Sequence, residues 1–116
     1  MTPSTIGADI QHPGDPIAVA VVGCGNLGSS IIAGLAQKTA IAALRVYDVN
    51  GHRSRAAAEG RVRVQACFDL ADAARSSDVV VIAVKPGDVD AALSGLASSL
   101  EKNVLVISCA AGVSIA

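Results

Sequence analysis

Four apolar runs and one brief mixed stretch divide the chain, and the segments between them carry apolar residues at helical spacing or turn polar. Ile17 to Val22 and Val79 to Val84 are unbroken, as expected of strands buried on both faces; the second is closed by Pro86. Leu44 to Tyr47, Arg63 to Gln65 and Val104 to Ile107 complete the predicted strands. Between the first two in chain order, Leu27, Ile31, Ile32 and Leu35 recur at helical spacing and predict a helix over Ser29 to Leu35 with that face on the sheet. Arg53 to Glu59 reads as a short alanine-rich helix stopped by Gly60. Asp69 is placed to cap a helix ending at Arg75. Asp88 to Leu100 carries Val89, Ala92, Leu93, Leu96 and Leu100 on one face. Strand and helix therefore alternate, which predicts an α/β fold with a doubly wound parallel sheet in the order 3-2-1-4-5. Its ligand crevice lies between strands one and four.

Composition agrees with that architecture and removes several functions. The 116 residues are 52% hydrophobic yet 2% aromatic, so the core is built from Val, Ile, Leu and Ala. A net charge of -1 without a basic cluster argues against nucleic acid or an anionic membrane as partner. No apolar run reaches the roughly 20 residues that span a bilayer. Cys24, Cys67 and Cys109 are far apart and odd in number, which points to a reducing cytoplasm and gives no metal-site spacing. Residues 1 to 16, with three prolines and no apolar h-region, read as a flexible tail ahead of a single domain over 17 to 116.

Chemistry concentrates where strand one ends. Gly23, Gly25 and Gly28 stand in G-x-G-x-x-G spacing between a strand and a helix. There a glycine turns the chain, a second lets a pyrophosphate approach the backbone, and a third lets helix and strand pack closely. Phosphates would lie against free N–H groups at the helix N-terminus, where the macrodipole favours negative charge. Asp48 falls twenty residues beyond Gly28, at the end of strand two, where this Rossmann-type pattern places an acid for the adenosine ribose. An Asx turn or cap in DVNG is the other use of Asp48, and the two can coexist. Topology brings GCGNLG, AVKP and CAAG together at the C-terminal ends of strands one, four and five.

VGCGNLGSSIIAGL, SDVVVIAVKP and VLVISCAAGVSI together resemble the N-terminal domain of the pyrroline-5-carboxylate reductase family over residues 17 to 116. The resemblance implies that Gly23, Cys24, Gly25, Asn26, Leu27 and Gly28 hold the pyrophosphate of NADPH or NADH. It implies that Ala83, Val84, Lys85 and Pro86 lie beside the ribose and nicotinamide, and that Ala110, Ala111 and Gly112 border nicotinamide and substrate. The implied reaction passes hydride to a small imino acid, 1-pyrroline-5-carboxylate, giving proline. Family members are homo-oligomers, and their dimer contacts and substrate pocket belong to a helical domain that follows. A chain ending at Ala116 is accordingly expected to bind cofactor without completing the catalytic site, and its catalytic residues are not assigned. A non-catalytic nucleotide-binding module and the cofactor domain of a β-hydroxyacid dehydrogenase are the alternatives; AVKP and CAAG speak against the latter.

Simpler roles stand beside these. Cys24 and Cys109 read as packing residues, since hydride transfer needs no thiol. Asn26 either meets phosphate or caps the helix, and Ser29 and Ser30 cap or face solvent. The backbone of Lys85, in a turn set by Pro86, matters more than its ammonium. His12 and His52 read as loop and turn residues. Asp48 disfavours a 2′-phosphate and leans toward NADH, whereas Arg53 and Arg55 are suited to pair with one.

Overall fold

The computed structural model describes residues 15–100 and 103–109, so the predicted tail, apart from Asp15 and Pro16, and Ala110, Ala111 and Gly112 lie outside the described residues. Five parallel strands form one sheet in the order β3-β2-β1-β4-β5. They are β1 (Ile17–Val22), β2 (Ile41–Tyr47), β3 (Val64–Ala66), β4 (Val79–Ile82) and β5 (Leu105–Ser108), connected by α1 (Asn26–Leu35), α2 (Gly51–Ala58), α3 (Leu70–Ala74) and α4 (Val89–Leu96). A single 3-10 turn, Pro86–Asp88, leads into α4. The strand order is the one the alternation of elements predicts.

Alternation along the strands gives the sheet two apolar faces. Val19, Val21, Leu44, Val46, Val64 and Val81 pack with Ile32 of α1 and Ala57 of α2 on one side. Ala20, Val22, Val80 and Ile82 pack with Ala74 of α3 and with Ala92 and Leu96 of α4 on the other. Each fully buried Val, Leu or Ile contributes about 1.5–3 kcal/mol, and the central strands hold most of them. Cover is thinner at the rim: on β5, Leu105 and Ile107 remain 57% and 41% exposed, while Val106 between them packs toward α4.

Local chemistry sets the boundaries. Asp69 caps α3 as expected, its Oδ1 accepting from Asp72 N at 2.6 Å. Gly60 follows α2 with φ +75°, a conformation that suits glycine. Asn50 caps α2 by accepting from His52 N at 3.0 Å, so this helix starts two residues before Arg53. At α1 the difference matters more. Ser29 N bonds Gly25 O at 2.8 Å, so the helix begins at Asn26 and the glycine motif runs into its first turn. β4 ends at Ile82, not Val84, because β1 turns away at Gly23 and ends the pairing. α4 stops at Leu96 instead of Leu100; Ser99 N and Leu100 N both return to Leu96 O, and Gly95, Ser98 and Ser99 are poor continuations of a helix.

Candidate functional site

β1 delivers the chain to the crevice beside β4 and turns sharply. Gly23 has φ +104°, and its N–H donates to Tyr47 O at 2.7 Å. A Cβ on Gly23 would stand 2.8 Å from the carbonyl carbon and oxygen of Ala83 and 2.9 Å from Val84 N. One on Gly28 would stand 1.7 Å from Gly23 O. Gly28, Gly23 and Ala83 are thus stacked backbone on backbone, which brings the glycine loop against the start of the AVKP turn. Gly25 differs: apart from its chain neighbours, a Cβ there would meet only Arg53 Nη1, at 3.7 Å. The loop is therefore closed at its first and third glycines and open at its second, the one a pyrophosphate must approach.

The first turn of α1 suits an anion. Ser29 N is bonded to Gly25 O, while the N–H groups of Asn26, Leu27 and Gly28 precede any intrahelical acceptor. They sit at the positive end of the helix dipole. The N-cap is Gly25, with no side-chain cap bond, so Asn26 does not cap the helix. Ser29 neither caps it nor simply faces solvent: its Oγ donates to Cys24 O at 2.8 Å.

Asp48 is turned toward the loop. Its Oδ2 accepts from Cys24 N at 2.7 Å and its Oδ1 from Asn50 N at 2.8 Å. The second bond is the Asx turn expected of DVNG; the first was not legible in the sequence. Cys24 is buried, with Sγ donating to Tyr47 O at 3.6 Å. Burial first, and the Asp48 charge second, push its thiol up to about 12, which keeps it protonated and makes it a packing residue.

Beyond Asp48 a cavity of about 320 Å³ opens between the ends of β2 and β3 and the start of α2. It is lined by Tyr47, Asp48, Ser54, Arg55, Val49 and Phe68 among others. Val49 is 91% and Phe68 90% exposed, so two large apolar side chains stand in solvent at its rim. Sequence reasoning missed both, because each follows a strand and reads there as a loop residue. Arg53 and Arg55 also flank this side, Arg53 over Gly25 and Arg55 with Nη2 3.3 Å from His52 Nδ1. Among the described residues neither forms an ion pair with an acid.

The AVKP turn behaves as a backbone element. Ala83 is buried, and its N–H donates to Val22 O at 2.8 Å. Lys85 is exposed, and its carbonyl accepts from Asp88 N at 2.8 Å. Cys109 N donates to Ile82 O at 2.7 Å, which carries the start of the third segment to the same crevice. Among the described residues no group of three or more His, Cys, Asp or Glu is arranged to hold a metal, and no helix is long and apolar enough to cross a membrane.

Comparison with known proteins agrees with this geometry. Residues 18–112 match the family described as NADP oxidoreductase coenzyme F420-dependent. The chain is 36% identical over 96 residues to the pyrroline-5-carboxylate reductase of Pseudomonas aeruginosa, a match covering 82% of this chain and 35% of that protein. A solved pyrroline-5-carboxylate reductase from Coxiella burnetii superposes with a TM-score of 0.72 at 26% identity, covering 81% of this chain and 35% of that one. The Plasmodium falciparum pyrroline carboxylate reductase, solved with NADP bound, shares the fold with a TM-score of 0.63 at 24% identity, covering 79% and 32%. The chain thus spans about a third of the length of the proteins it matches. With an open second glycine and a free helix start beside the AVKP turn, the chain belongs to the NADP oxidoreductase, coenzyme F420-dependent family, and its resemblance to pyrroline-5-carboxylate reductases is borne out by those relatives.

Proposed function

We propose that this chain is the nucleotide-binding part of a pyrroline-5-carboxylate reductase. When bound, reduced NADPH or NADH supplies a hydride to the C=N carbon of 1-pyrroline-5-carboxylate, the ring nitrogen takes a proton, and proline results. The observation carrying the reading is the loop that is closed at Gly23 and Gly28 and open at Gly25, directly over the N–H groups of Asn26, Leu27 and Gly28.

In this reading the first turn of α1 receives the pyrophosphate, with the Cys24 and Gly25 backbone shaping its approach. The cavity beside Asp48 receives the adenosine half, and Val49 and Phe68 offer apolar surface to the base. Ala83, Val84, Lys85 and Pro86 present a turn to the nicotinamide half, and Ala110, Ala111 and Gly112 continue that wall by resemblance. The imino-acid pocket and homo-oligomer contacts are assigned, again by resemblance, to a further helical domain. The three free cysteines support a reducing, cytoplasmic setting.

The test is fluorescence titration of the 116-residue chain with NADH and NADPH. Saturable binding is expected, and Gly25→Val is expected to abolish it while leaving the far-ultraviolet circular dichroism unchanged, since the side chain enters the open crevice. Superimposable titration curves for variant and parent would overturn the reading.

A further inference from the structure

The hydrogen bonds around the glycine loop assign Asp48 a role apart from direct ligand contact. We propose that Asp48 is a positioning residue: its carboxylate sets the orientation of the glycine loop through the Cys24 N–H, and so supports the binding of either form of the dinucleotide. The inference rests on the dinucleotide reading above and specifies how one residue of that site works.

Both carboxylate oxygens meet backbone donors, Oδ2 with Cys24 N at 2.7 Å and Oδ1 with Asn50 N at 2.8 Å. One side chain thus bridges the end of β1 and the turn that starts α2. Hydrogen bonds to an ionised acceptor are the short, strong kind. The Cys24 carbonyl is held as well, by Ser29 Oγ at 2.8 Å. In a trans peptide the C=O and the following N–H lie in one plane and point in opposite directions. Fixing Cys24 O toward Ser29 therefore points the Gly25 N–H the other way, and fixing Cys24 N toward Asp48 sets the preceding peptide plane. Gly23 adds a third restraint through its bond to Tyr47 O. A glycine-rich loop has more conformational freedom to lose than any other sequence, so external restraints of this kind decide whether its amides are ready for a ligand.

A residue that gripped only the ribose would discriminate between NADH and NADPH, because a carboxylate and a 2′-phosphate repel. A loop-positioning residue, when removed, weakens the binding of both. In the Asp48→Ala variant no acceptor remains, so both backbone bonds are lost. Affinity for NADH and for NADPH is expected to fall in both cases, about tenfold for the loss of a bond of this kind. In the protein without nucleotide, amide hydrogen exchange at Cys24 is expected to accelerate about tenfold while Val21, one strand position inside the core, keeps its protection; general destabilisation would move both. Asp48→Glu, which keeps the charge but alters the reach, is expected to show the same pattern and serves if Asp48→Ala fails to fold. Selective loss of NADH affinity with NADPH binding retained or improved would overturn the proposal, as would unchanged exchange at Cys24. If the parent chain binds neither nucleotide, the dinucleotide reading fails, and the exchange measurement still decides whether Asp48 orders the loop.

Discussion

Gly28→Ala adds one methyl group to the site and should cost more than most single methyl additions. The added Cβ would lie 1.7 Å from Gly23 O and 2.7 Å from Gly23 C, where contacts under 3.0 Å are essentially never seen. Both atoms are backbone, and Gly23 is itself held by its bond to Tyr47 O and by Ala83 behind it. Relief therefore requires the start of α1 to move off the strand. Overpacking a filled site costs about 1–3 kcal/mol, and a backbone obstacle places this case at the upper end. Replacing glycine by alanine inside a helix returns about 1 kcal/mol, leaving a net loss of about 2 kcal/mol. For a domain of this size that lowers Tm by roughly 10 °C. Urea and thermal unfolding followed by circular dichroism will measure it. Gly34→Ala on the same helix, where a Cβ meets nothing within 4 Å, is the control and should leave stability unchanged or slightly raised. If Gly28→Ala unfolds within about 0.5 kcal/mol of the parent, the close approach of helix and loop is not what requires glycine there.

Two further perturbations follow from named contacts. Asp69→Ala removes the side-chain cap of α3, whose Oδ1 accepts from Asp72 N, and should cost about 1 kcal/mol in urea unfolding at neutral pH; no change would mean that the Asp69 bond adds nothing to stability. The buried thiols predict alkaline weakening. Burial and the Asp48 charge raise Cys24 from the usual 9.0 to about 12, and burial and the Asp72 charge raise Cys67 to about 11. Because the folded values exceed the unfolded one, the unfolded chain ionises first. The stabilisation is complete below pH 9 and declines as pH rises toward the folded values. Urea unfolding at pH 8 and pH 10 should show lower stability at the higher pH, and less dependence in a Cys24→Ala, Cys67→Ala double variant; an identical slope in that variant would assign the effect to other groups.

Much of the fold was legible because its determinants are local. The apolar runs at Ile17–Val22 and Val79–Val84 announce buried strands, the second two residues too long, and Asp69 and Gly60 announce a cap and a stop by their chemistry alone. The ends of α1 and α4 were less legible, since a helix beginning inside a glycine motif lacks the usual cap and one ending among Gly and Ser frays into turns. At the site, the spacing of Gly23, Gly25 and Gly28 was readable as a turn, an open approach and a close packing contact, but the atoms that enclose Gly23 were not. Gly23 is enclosed by the backbone of Ala83, some sixty residues away in the chain. The bond from Cys24 N to Asp48 and the exposed pair Val49 and Phe68 depend likewise on how separate strand ends come to lie.

The thin cover over β5 divides the crevice into walls of unequal endurance. Among the described residues β5 pairs only with β4, and Leu105 and Ile107 face solvent. Local opening starts where apolar contacts are few, so this strand should detach at lower free energy than β1 or β2. The bond from Cys109 N to Ile82 O, which holds the first residue of the third segment, directly follows that strand. The glycine loop is braced from β1, β2 and α1 and stays in place when β5 opens. On the proposed reading, phosphate meets a standing surface, while Cys109, at the head of the third segment, moves with the rim.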